Sequence, residues 1–249
     1  MKQYPGYTLV KREDCPEQHG TLTVLTHDVS GAAVLLVEND DDNKAFGIGF
    51  GTFPADDTGV FHILEHSVLA GSEKYPVKSP FLQLLKSSMA SFLNAMTFPD
   101  KTYYPISSRN PKDFLNLMRV YLDAVFRPLI YSRPEIFRQE GWHYELDVPE
   151  GASLCGGELR YNGVVFNEMK GALSDSTSVL YDQLQASLFP DTPYAFESGG
   201  TPEAIPTLTY ERYLEEHERH YRLDNSYIVL YGNLDLDRML TFLDERYLT

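Results

Sequence analysis

The chain has 249 residues, 43% of them hydrophobic and 13% aromatic, enough to bury a full core in one large domain or two small ones. Its formal net charge of −15 and pI near 4.8 repel phosphate backbones, which argues against nucleic acid as a partner and favours basic ligands such as cationic peptides. No apolar run is long enough to span a membrane, so a folded, soluble protein is expected.

The segment Met1-Lys2-Gln3-Tyr4-Pro5 has neither a signal-peptide apolar stretch nor the Arg/Ser-rich character of a transit peptide. Cys15 and Cys155 do not make a disulfide framework, and the expected location is a reducing cytoplasm. Residues 21–26 alternate Leu and Val with Thr, a strand pattern, and the apolar run 32–37 is a second strand. Residues 39–43 form an acidic turn that lacks the ligand spacing and closing Glu of a calcium loop. Residues 45–52 form a third strand with Phe46, Ile48 and Phe50 on one face. Together the three predict an antiparallel meander.

His62-Ile63-Leu64-Glu65-His66 follows. On a helix turning about 100° per residue, Glu65 lies at about 300° and His66 at about 40° from His62, so the three share a face. Two imidazoles one turn apart can grip a zinc ion. A carboxylate beside it can take a proton from water. The order His-x-x-Glu-His inverts the commoner His-Glu-x-x-His. Phe61, Ile63, Leu64, Val68 and Leu69 surround the polar residues, which predicts a mostly buried helix. Buried charge is costly without a partner, and a metal would offset that cost.

A second helix is expected to start at Ser79-Pro80, with Ser79 as its cap. Residues 92–98 and 101–106 flank Pro99-Asp100 and read as a hairpin. Asn110-Pro111 caps a helix whose stripe of Phe114, Leu117, Met118, Tyr121, Leu122 and Val125 is core. Short strands at 144–146 and 159–161 flank an irregular segment, 149–157. Helices are expected at 164–173, 179–188 and 210–221, a strand at 227–231 and a last helix at 236–247. Strands in runs with helices between and after them indicate an α+β fold.

A catalytic zinc site needs three protein ligands and one water. His217 and His220 lie in a charge-dense stretch that reads as a solvated helix face, and His143 follows Trp142 on a strand as a core or supporting residue. The strongest third candidate is Glu168, a lone carboxylate after an apolar patch on a predicted helix. Burial would raise its pKa unless a cation were near. Glu140, Glu145 and Glu158 stay open on these grounds.

The chain resembles the N-terminal domain of insulinase-type (pitrilysin family) zinc metallopeptidases, in the presequence-protease branch. The matching stretches include residues 59–72, 74–81, 92–105, 120–126, 139–142, 162–171, 198–202 and 225–235, nearly the whole chain. The resemblance implies an antiparallel sheet with helices packed on one face. It implies His62, His66 and Glu168 as ligands of Zn2+ and Glu65 as the general base. Asn94 and Ala95 match a hairpin that takes an extended peptide substrate by strand addition. Many relatives carry another carboxylate seven residues before the third ligand; here that position is Tyr161, so no further acid is assigned.

The activity implied is hydrolysis of short unstructured peptides, cationic ones included. Residues 1–249 are read as a single N-terminal catalytic domain, a piece of a four-domain chain. The expected partners are peptide substrates and the missing C-terminal domains, whose absence would leave the piece weakly active or inactive alone. The alternative is a non-catalytic scaffold or a peptide-binding module of the same fold.

Overall fold

The computed structural model describes residues 4–148 and 154–249. The N-terminal tripeptide and residues 149–153 of the expected irregular segment lie outside the described residues.

The first strand, β1 (Tyr7–Cys15), was not expected, because Lys11, Arg12, Glu13 and Asp14 hide its pattern. It is an edge strand, exposed along nearly its whole length, and its charges suit an edge that must not recruit another chain. β2 (Gly20–His27), β3 (Ala33–Glu38) and β4 (Lys44–Gly51) follow where strands were predicted. They do not form a simple meander. β2 pairs with β3, but β10 (Ser226–Gly232) enters from the far end of the chain between β3 and β4. It runs parallel to β3 and antiparallel to β4, so the sheet is mixed. The reason lies in the register. Ile228 opposes both Val34 and Ile48, and Leu230 opposes both Leu36 and Phe46, two buried rows across three strands.

The complete order is β1-β2-β3-β10-β4, followed by β7 (Lys101–Ser108) and β5 (Ala90–Leu93). α1 (Val60–Val68) and α2 (Pro80–Ser87) precede β5 (Ala90–Leu93), β6 (Met96–Thr97) and β7 (Lys101–Ser108). Both β5 and β6 pair with β7 at the second edge of the sheet, the predicted hairpin with a break at Asn94-Ala95. α2 starts where predicted, but Ser79 makes no capping bond; it sits in the left-handed region at φ 50°. α3 (Pro111–Phe126) is capped as expected, with the Asn110 side chain accepting from the amides of Lys112 and Asp113. Its apolar stripe is wholly buried, each such side chain contributing roughly 1.5–3 kcal/mol relative to exposure.

α4 (Pro134–Glu140) was not anticipated. β8 (His143–Asp147) and β9 (Glu158–Asn162) form a separate ribbon. α5 (Val164–Ala172), α6 (Ser176–Leu188), α7 (Tyr210–His220) and α8 (Leu236–Leu243) complete the helices. The last predicted helix ends early and passes into a wider π turn, Asp244–Leu248. One sheet face is core: Phe50 stacks on Tyr221 at 4.6 Å and meets Phe126 edge-on at 5.8 Å. No described helix is long and apolar enough to cross a membrane.

Candidate metal centre

The site begins at Gly59. Its φ of +64° turns the chain into α1, and a Cβ there would lie 2.4 Å from the Gly199 carbonyl oxygen. Only glycine lets these two backbone segments touch. From that start α1 buries Phe61, Ile63, Leu64 and Val68 in the core, leaving His62, Glu65 and His66 on the opposite side, as the 3.6-residue period requires. The two imidazoles lie 5.0 Å apart, nearly perpendicular.

Each ring is held by its Nδ1. His62 Nδ1 lies 3.2 Å from the Gly199 carbonyl. A carbonyl only accepts, so this nitrogen carries the proton and Nε2 keeps its lone pair. His66 Nδ1 faces Glu140 Oε2 at 3.5 Å. Both Nε2 atoms then look toward Glu168 Oε2, at 3.8 Å from His62 and 3.6 Å from His66. Glu168 is brought there by α5, whose start at Gly163 packs against the end of α4; a Cβ on Gly163 would lie 2.1 Å from the Gly141 carbonyl oxygen.

Ligand atoms of His62, His66 and Glu168 all lie within 4.8 Å of one another. Tetrahedral zinc with bonds of about 2.0–2.1 Å separates its ligand atoms by about 3.3 Å, so the 3.8 and 3.6 Å gaps from Glu168 Oε2 to the two imidazole nitrogens are within a few tenths of an ångström of that spacing. The electrostatics point the same way. Burial opposes a proton on His66, yet the Glu140 contact and the charges of Glu65, Glu140 and Glu168 raise its pKa above the usual value. Carboxylates thus converge on an imidazole pair, a set of donors that fits a divalent cation.

Glu65 is buried, and its Oε2 accepts a 2.6 Å hydrogen bond from the Thr97 hydroxyl on β6. Burial, and then the Glu65 charge, push the Tyr121 hydroxyl well above its ordinary pKa. That protonated hydroxyl donates to the Asn94 carbonyl at 3.2 Å. The hairpin is thereby tied to α3 on one side and to the Glu65 carboxylate on the other. Asn94 and Ala95 sit at its break and line a cleft of about 720 Å³ that is also lined by the three donors and Glu65.

Other candidates lie elsewhere. His217 is not on a solvated face: its ring is buried, stacks on Tyr221 at 4.5 Å, and contacts the Tyr131 hydroxyl and the Val125 carbonyl. Burial lowers its pKa to about 4, and it is a core residue. His220 meets Phe61 and Glu216, and His143 contacts the Arg138 carbonyl. Glu145 and Glu158, on the ribbon, are taken by Asn162 and Arg160. Glu168 departs from its expected setting, for its side chain is 52% exposed. Thr97 and the Gly199 carbonyl had no sequence signal of their own beyond lying in the matched stretches, and Glu140, open as a third ligand from sequence, lies behind His66 and outside the group of donors.

A comparison of folds gives the class first. The structure of pitrilysin superposes with a TM-score of 0.72 over 97% of this chain and 24% of that one, at 19% identity, so the fold is a pitrilysin-type α+β domain. No family model matches the chain. Its sequence is 47% identical over 96% of its length to presequence protease 1 (chloroplastic/mitochondrial) of Arabidopsis thaliana and 43% identical over 98% to the mitochondrial presequence protease of Mus musculus. Protein HypA of Clostridium perfringens is 52% identical over 98% of this chain. The chain belongs to the insulinase (pitrilysin) family, with the presequence proteases. It spans about a quarter of the length of these relatives, from 22% to 25%.

Proposed function

We propose that this chain is the N-terminal, zinc-binding and water-activating domain of an endopeptidase that cuts short unstructured peptides. The observation that carries this reading is the meeting of His62, His66 and Glu168 donor atoms within 4.8 Å, in the lining of a cleft that also holds Glu65. The ion, when bound, supplies Lewis-acid chemistry, lowering the pKa of water and polarising a carbonyl oxygen.

The chain's own residues do the rest. His62 and His66 present Nε2 because Nδ1 is engaged behind each ring. Thr97 holds Glu65 Oε2, leaving Oε1 to take the proton from water and pass it to the leaving amine. The broken edge formed by β5 and β6 offers backbone groups beside Asn94 and Ala95, where an extended peptide can add as a strand. The acidic surface favours cationic peptides among the substrates. Because the chain spans about a quarter of its relatives, the remaining substrate contacts are assigned to further domains of the same polypeptide, and cleavage by this domain alone is expected to be weak or absent. The free thiols of Cys15 and Cys155 support a reducing location such as the cytoplasm.

Elemental analysis of the purified chain and of Glu168→Ala tests the reading. One zinc per chain, lost in the variant, is expected. No zinc in the parent after incubation with the metal at neutral pH would overturn it and favour a scaffold.

A further inference from the structure

We propose, resting on the metal reading above, that Glu140 is the positioning residue of the centre: its carboxylate accepts from the His66 Nδ1–H and so aims Nε2 at the ion. Glu140 is the last residue of α4 and is buried. Its Oε1 accepts from Gln139 Nε2 at 2.8 Å, which leaves Oε2 for the imidazole at 3.5 Å. Among the described residues His66 is the one basic side chain in ion-pair range of this carboxylate. A buried carboxylate is retained only where something pairs with it, and here the pairing group is a metal-facing imidazole.

The scaffold shows how the contact is built. Gly141, directly after Glu140, lies against α1, where a Cβ would stand 3.2 Å from Ile63 Cγ2. The Gly141 carbonyl is also the group that Gly163 approaches at the start of α5. One backbone crossing therefore fixes α4, α1 and α5 together. It delivers Glu140 to Nδ1 and Glu168 to Nε2 of the same ring, at 3.5 and 3.6 Å. Glu140 is outside the group of donors that share the 4.8 Å space, so it supports a ligand and is not one. His62 has a neutral carbonyl in the equivalent place. A carboxylate partner makes an imidazole the more basic ligand, so the two histidines are unequal, with His66 the stronger.

The test is zinc affinity of the whole chain by competition with a chromophoric chelator, for the parent, Glu140→Gln, Glu140→Ala and Glu168→Ala. Visible spectra of the Co2+ forms accompany it. Glu140→Ala is expected to bind zinc about 10–100-fold more weakly and to change the Co2+ bands. Glu140→Gln keeps an acceptor for Nδ1 without the charge, so it is expected to keep the parent's Co2+ bands and to lose only about 3–10-fold. Urea midpoints of the metal-free proteins check folding, and if Glu140→Ala does not fold, the nearly isosteric Gln variant decides. Affinity within about twofold of the parent in the folded variants would overturn this role alone. Loss as complete as in Glu168→Ala would overturn it too, by making Glu140 a ligand. A parent that binds no zinc would overturn both this role and the metal reading.

Discussion

Replacing Gly59 by Ala probes how the site is held together. Gly59 sits at φ +64°, and its added Cβ would lie 2.4 Å from the Gly199 oxygen and 2.8 Å from Gly199 C and Gly200 Cα. Ordinary contacts of this kind start at 3.4 Å, so the segments must part by about an ångström. The left-handed backbone alone costs an alanine about 1–2 kcal/mol. The displaced loop is anchored by Thr201 N to the Asp57 carbonyl at 2.9 Å and by Glu197 N to the Asp57 carboxylate at 2.8 Å. Each such bond contributes about 1 kcal/mol, so straining both brings the loss to about 3–4 kcal/mol. That corresponds to a fall in Tm of roughly 10 °C for a domain of this size.

The same shift carries the Gly199 carbonyl away from His62 Nδ1, 3.2 Å distant in the parent, so zinc affinity should fall about 10–100-fold. Urea unfolding of the metal-free chain reads the first effect, and chelator competition the second. Gly171→Ala is the control: a Cβ there meets nothing within 4 Å, and the residue lies inside α5, so a gain of about 0.5–1 kcal/mol is expected. If Gly59→Ala matched the parent in both measurements, the clamp assigned to Gly59 and Gly199 would be wrong.

Glu65→Gln should keep metal and fold, since an amide oxygen still accepts from Thr97, while abolishing turnover in the complete peptidase; normal kcat would sink the general-base role. His217→Ala should destabilise by about 2–4 kcal/mol, through a cavity and two lost polar contacts, without changing zinc stoichiometry. Metal lost from that variant in its folded state would contradict the core assignment. Glu197 has its pKa raised to about 7, by burial first and by Asp182 and Asp57 after it. A carboxyl whose folded pKa exceeds its unfolded value binds more protons when folded, so its effect on stability worsens as pH rises from about 4.5 to about 7. Glu197→Gln should therefore stabilise the chain at pH 7.5 and change little at pH 4.5; urea midpoints showing an equal gain at both would refute the titration.

What the sequence made legible was local. The His-x-x-Glu-His face follows from helical period alone, and α1 carries it as expected with its other side buried. Asn110-Pro111 predicts the start of α3 because capping is a matter of adjacent atoms. Ser79 misled for the complementary reason: the local pattern was right, but the left-handed backbone the chain adopts there leaves its side chain without a capping bond. The position of β10 was illegible, since nothing in residues 32–52 says that a strand from the far end of the chain will separate two neighbours in sequence. His217 misled by composition. Its neighbours Glu215, Glu216 and Glu218 are charged, yet the helix turns this one ring inward onto Tyr221.

Glu168 shows most clearly where reasoning from burial alone goes astray. A buried lone carboxylate invites a metal because it needs a cation, but Glu168 is half exposed and has no such need. The buried carboxylates of the site are Glu65 and Glu140, and each has a permanent donor, Thr97 for the first and Gln139 with His66 for the second. The division makes physical sense. A buried acid left waiting for an ion would tend to protonate, and a protonated carboxyl is a poor ligand. An exposed one stays hydrated until the ion arrives, at a smaller desolvation cost. On the proposed reading, the acids that would hold and react are inside, already paired, and the acid that would close the donor set is half exposed, 3.6 and 3.8 Å from the two nitrogens that face it.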